Sequence, residues 1–260
     1  MTTKVLQSDM PGAQRPWLVE VSTSLFFSAL GIAALVCASS TGAEAQAAAA
    51  ERYAAMAPIE QYRTASQAEE IALARSAAPA SISDKAEILT LGAAGYETAV
   101  KGTNGFVCIV QRAWASDFAD AQFWNPRLRA PNCFNPAAAR SVVPAYLTRT
   151  KWVLEGASKS VMLDRTKAAV AAGQITPPEV GAMCYMMSKL GYLSDDAAGP
   201  WHAHLMFFVP KADAASWGAN LAGSPVIVGD AGAEPVTVFL VPVAIWSDGT
   251  SSVQPAPMKM

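Results

Sequence analysis

Hydrophobic positions change their rhythm along this chain, and each rhythm predicts a different kind of element. Between Glu20 and Glu44 no residue is charged, and Leu25–Ala38 is almost wholly apolar. A stretch of that length suits the core of a secretory signal and is short for a stable spanning helix. Ala43-Glu44-Ala45 then places small side chains where a signal peptidase inspects them. Residues 1–45 therefore read as a signal peptide whose removal exposes Gln46. The alternative is an uncleaved anchor through residues 21–43; a lipoprotein signal at Cys37 is disfavoured by Val36 before it. Either way the bulk of the chain is expected to be exported, periplasmic or extracellular. A membrane is then touched only through this segment, if it is retained.

Residues 46–57 are dominated by alanine and read as a spacer. Pro58 suits a first helical position, and strong helix formers from Ile59 to Ala78 predict one helix, closed by Pro79. Ala86–Leu91 fits a strand or a helix start. Tyr96–Lys101 alternates, Gly102-Thr103-Asn104-Gly105 tolerates positive φ, and Phe106–Trp114 resumes as a strand. Two such runs around a Gly/Asn turn predict a hairpin. Asn135-Pro136 is placed to cap a short helix through Ala137–Arg140, and Lys151–Ala172 is helical in composition up to Gly173. Thr176-Pro177-Pro178-Glu179 resembles a capping box, and Val180, Met183, Cys184 and Met187 follow at helical spacing. That stripe reads as core packing on a helix. The last third predicts strands at His202–Pro210, Pro225–Val228 and Val236–Trp246, with Pro242 marking a bulge or an edge.

Helices mixed with hairpins, without regular β-α alternation, predict an α+β fold. The expectation is a mainly antiparallel sheet of five to six strands with helices packed on one face. A single domain over residues 58–249 and a loose tail over 250–260 complete the organisation.

Composition narrows the function classes. The 260 residues are 52% apolar and carry 19 basic against 21 acidic side chains, which excludes a disordered chain. No lysine-arginine run is present, so no nucleic-acid partner is expected. Removing residues 1–45 takes Lys4 and Arg15 against Asp9, Glu20 and Glu44, which moves the net charge from −2 to −1. The familiar hydrolase, P-loop and C-x-x-C signatures are missing from the sequence.

Three groups of residues carry candidate chemistry. On a strand, His202 and His204 project from one face roughly 6.6 Å apart, near enough to share a cation at about 2.0–2.1 Å. Asp195 or Asp196 in the preceding loop would supply the third ligand, and a divalent transition metal such as zinc would suit the set. The plain alternative is a pair of polar residues on a sheet rim. Arg127, Arg129 and Arg140 form the second group, an anion pocket if they converge on the helix capped by Asn135 and loop or surface pins if they do not. Cys108 and Cys133 form the third, an expected disulfide, which leaves Cys184 as a buried small hydrophobe. The leading expectation is an exported protein that binds a small ligand or metal ion near the His-x-His pair. The alternatives are an exported metal-dependent, hydrolase-like enzyme using the same pair and a non-catalytic structural or interaction module.

Overall fold

The structure, a computed structural model, describes residues 47–195, 202–229 and 232–252. Among them one sheet of eight strands runs in the order β2-β1-β3-β4-β5-β6-β8-β7. The strands are β1 Glu87–Leu91, β2 Tyr96–Val100, β3 Val107–Gln111, β4 Ala130–Phe134, β5 Met183–Met186, β6 His204–Pro210, β7 Ile227–Gly229 and β8 Val236–Pro242. The helices considered below are α1 Gln67–Arg75, α2 Ala80–Ser83, α3 Pro136–Ser141, α4 Val143–Leu154 and α5 Lys159–Ala171. The fold is α+β and the sheet is mixed. It is larger than the expected five to six strands and mostly antiparallel, with β1 and β3 paired in parallel.

Helices cover both faces of this sheet, not one as expected. Successive strand residues point to opposite faces, so Ile88, Cys108, Val110 and Cys133 lie on one side and Leu89, Ile109 and Phe134 on the other. Ala74 of α1, with Ala77 and Ala78, packs on the first set. Ala138, Val142 and Val143 of the α3–α4 region pack on the second. Farther along the second face, Trp114, Phe123, Val153 and Met162 close a core beneath α4 and α5.

The strand order corrects the expected hairpin. β2 and β3 do not pair, because β1 stands between them. The tight turn is at Gly92–Gly95, where Gly92 N–H donates to the Gly95 carbonyl at 2.7 Å, and it pairs β1 with β2. The Gly102–Gly105 loop instead carries the chain past the start of β1. There Thr103 N–H donates to Lys85 O and Glu87 N–H to Phe106 O, both at 2.8 Å. Gly102 passes so close that a Cβ there would meet Glu87 N at 2.2 Å.

Two helix expectations are corrected by caps and turns. The run from Ile59 to Ala78 breaks into a 3-10 turn at Ile59–Tyr62 and α1, because Ser66 caps a new start by accepting from Glu69 N–H at 3.1 Å. The methionine stripe after Pro177-Pro178 is a strand: Gly181 turns the chain at φ 81°, and β5 then fills the ladders of both β4 and β6. Val180, expected on the core stripe, is 99% exposed. The Asn135 cap forms as expected, with its side chain accepting from Ala138 N–H at 2.9 Å. Helical structure begins earlier than Lys151, and Gly156 at φ 81° divides it into α4 and α5.

Cys108 and Cys133 are register partners on β3 and β4 and are joined by a disulfide, while Cys184 is buried and free. Among the described residues no helix is long and apolar enough to cross a membrane. The signal peptide, its cleavage site and the anchor alternative lie outside the described residues, as does the tail beyond residue 252.

Candidate functional site

Antiparallel register decides which side chains share a space. Met206 pairs with Leu240 and Phe208 with Val238, so these four stand on one face of the sheet. Met186 opposite His204, and Ala130 opposite Gln111, extend that face across β5, β4 and β3. Val142 and Tyr146 of the α3–α4 region face them without filling the interval. The result is a cavity of about 530 Å³ walled mainly by apolar side chains, within the size range of small-molecule sites. Met186 and Met206 give part of the wall a soft, adaptable surface.

A polar, uncharged chain of side chains runs through the sheet behind this wall and reaches it at Gln111. Buried Cys184 donates its S–H to Asn132 Oδ1 at 3.3 Å, and Asn132 Nδ2 donates to Gln111 Oε1 at 2.7 Å. Asn132 Nδ2 also donates to the Ala130 carbonyl at 3.1 Å, which fixes which end of the amide is the donor. Burial pushes the Cys184 thiol well up, so it stays protonated and is a poor nucleophile. Burial also pushes the Tyr146 phenol up, and its hydroxyl lies beside Gln111. This chain can donate and accept hydrogen bonds; it is not equipped for thiolate chemistry.

Charges collect elsewhere on the lining, and the arginines there are already engaged. Arg149 pairs with Glu234 at 2.6 Å, donates to the carbonyls of Trp114 and Ser116 and lies 4.3 Å from the centre of the Phe118 ring. Arg112 is fully buried; it pairs with Glu70 at 2.9 Å and donates to Tyr62 O at 2.6 Å. Asp117 and Asp120 add two carboxylates, each accepting a backbone N–H two residues on. The cavity therefore presents paired cations and a surplus of acid.

Comparison with family models, with curated proteins and with solved structures finds no match.

Neither histidine anticipated from sequence lines this cavity. His204 is only 6% exposed and begins the row that continues as Met206 and Phe208; His202 precedes the strand and is exposed. His204 Nδ1 lies 3.0 Å from the His202 carbonyl oxygen, and burial lowers the His204 pKa. Among the described residues no three of His, Cys, Asp and Glu are grouped so as to hold a metal ion.

Asp195 is committed to another set of partners. It accepts hydrogen bonds from the Tyr53 and Tyr192 hydroxyls and from Asn125 Nδ2 at 3.3 Å, and it pairs with Arg52 at 3.1 Å and Arg127 at 3.3 Å. Burial alone would raise its pKa, but the hydrogen bonds from Tyr192, Tyr53 and Asn125 and the Arg127 charge together bring it down to about 2. Asp196 lies outside the described residues.

The three arginines each have their own employment. Arg127 stacks 4.5 Å from the Tyr192 ring centre as well as pairing with Asp195. Arg129 donates to the carbonyls of Pro126, Leu128, Gln61 and Arg63, and desolvation lowers its pKa to about 10. Arg140 pairs with Glu179 at 2.6 Å on the surface. They act here as loop and surface pins.

Gln111 and Asn132 went unnoticed in the sequence. The available signal was a carboxamide inside each of two apolar strands, VCIVQ and APNCF, since a buried amide needs partners.

Proposed function

We propose that this protein binds a small, predominantly apolar molecule in the cavity between the β3–β8 portion of the sheet and the α3–α4 region. The cavity volume of about 530 Å³ carries this reading, because an apolar space of that size left open beside a packed core forgoes contacts that a guest would restore. The Cys108–Cys133 disulfide agrees with an oxidising, exported setting for such a carrier or receptor. Coordination of a metal at His202 and His204 would need a third donor from outside the described residues, so the cavity is the better-founded site.

N-phenyl-1-naphthylamine, an uncharged dye that brightens in apolar surroundings, tests the proposal. A saturable rise in its fluorescence is expected with the purified protein. Leu240→Trp and the milder Val238→Phe fill the space and should weaken binding about tenfold or more. Val209→Phe, on the opposite face of β6, should leave it unchanged. Dye binding that ignores both filling substitutions would rule the cavity out.

A further inference from the structure

The Gln111 amide has one end tied and the other unspent. It is only 7% exposed and forms part of the cavity wall. The Cys184 thiol can offer Asn132 a proton, and the Ala130 carbonyl requires one from it, so the Asn132 oxygen faces sulfur and its nitrogen faces Gln111. Gln111 must then receive with Oε1, which turns its Nε2 away from Asn132. Among the described residues that nitrogen completes no hydrogen bond, and the Tyr146 hydroxyl is the acceptor that stands beside it. An Nε2 carries two protons; the Tyr146 hydroxyl can receive one, and the other is left without a partner. An unmet buried donor is costly, and it points to a partner that arrives with the ligand.

The surrounding charges constrain that partner further. Arg112 and Arg149 are occupied by Glu70 and Glu234, whereas Asp117 and Asp120 add negative charge. An anionic head group would meet repulsion without a cation to offset it, and an ammonium head group has no lone pair with which to accept from Gln111 Nε2. We infer that the cavity selects a neutral ligand, an apolar body carrying one carbonyl-type acceptor such as a ketone, ester or amide, which takes a hydrogen bond from Gln111 Nε2. This presupposes that the cavity is the ligand site proposed above.

Displacement of N-phenyl-1-naphthylamine by a matched series tests the inference: undecan-2-one, undecane, undecanoate and undecylamine. The ketone should displace the dye at about three- to tenfold lower concentration than the hydrocarbon, the yield of one net hydrogen bond, and should also outperform both ions. Gln111→Leu should erase the advantage over undecane, and the near-isosteric Gln111→Met provides a second variant should the first fail to fold. In the unsubstituted protein the Gln111 side-chain amide resonance should move on adding the ketone and not on adding undecane. Equal displacement by ketone and hydrocarbon, preference for the acid or the amine, or an advantage that survives both substitutions would overturn the inference. Failure of the dye to bind the unsubstituted protein is a separate result, and it would overturn the cavity reading itself.

Discussion

Two polar networks in this molecule, one charged and half-exposed and one neutral and buried, reach opposite ends. Around Asp195, two tyrosine hydroxyls, one amide and two guanidinium groups converge on a single carboxylate, whose own backbone N–H donates to Gln122 Oε1 at 2.9 Å. Burial first, and then the hydrogen bond to Asp195, keeps the Tyr53 and Tyr192 phenols protonated and donating. That network is saturated, and it ties residues 52–53 to the loops around residues 125 and 192. The Cys184–Asn132–Gln111 chain is uncharged, crosses three adjacent strands and ends on a donor with one proton left without a partner, beside open space. A network that spends all its groups holds chain segments together. One that stops short against a cavity has capacity left for a guest.

The Glu70–Arg112 pair is a second saturated charged network. Glu70 accepts from Arg112, from Leu91 N–H at 3.1 Å and from Thr64 Oγ1 at 3.1 Å. Glu70→Ala leaves a buried guanidinium without its counter-charge and should cost about 3–5 kcal/mol in denaturant unfolding. A loss below about 1 kcal/mol would show that water or rearrangement replaces the carboxylate.

Asp195→Asn should have a smaller effect, about 1–2 kcal/mol at neutral pH, because Arg52 and Arg127 are exposed and screened. Its pH dependence is more telling. A carboxylate held near 2 when folded and near about 3.9 when unfolded contributes stability that is complete above about pH 4 and lost as pH falls towards 2. Acid unfolding of the Asn variant should lack that portion of the slope. An unchanged slope would mean that the clasp contributes nothing to the folded state.

The smallest expected effect belongs to the neutral chain. Gln111→Leu removes one acceptor from Asn132, which keeps the Ala130 carbonyl, and also deletes an unmet donor. The two changes oppose each other, so thermal or denaturant unfolding should shift by less than about 1 kcal/mol. A loss comparable with that of Glu70→Ala would place Gln111 among the structural networks and remove the contrast.

Local signals in the sequence foretell their elements, and non-local pairings are not legible in it. The Asn135 cap, the β6 and β8 strands and the Cys108–Cys133 pairing depend on short-range chemistry or on a few marker residues, and each is present in the fold. The choice of strand neighbours depends on competition between distant segments. Hence β1 displaced β3 from β2, and β5 adopted a strand despite helical spacing, because both its edges found partners. The candidate site was less legible still. His202 and His204 attract attention by rarity, yet the cavity is made of ordinary apolar residues, visible as a site only once the register sets them face to face.

The claim that this cavity receives an apolar guest is tested most directly by methyl NMR on protein carrying ¹³C-methyl methionine, titrated with undecan-2-one. Met186 and Met206 line the cavity, whereas Met162 is buried in the separate core beneath α4 and α5. The Met186 and Met206 signals should move together to saturation while Met162 stays in place. If those two remain still, or if Met162 moves as far as they do, the cavity is not the binding site.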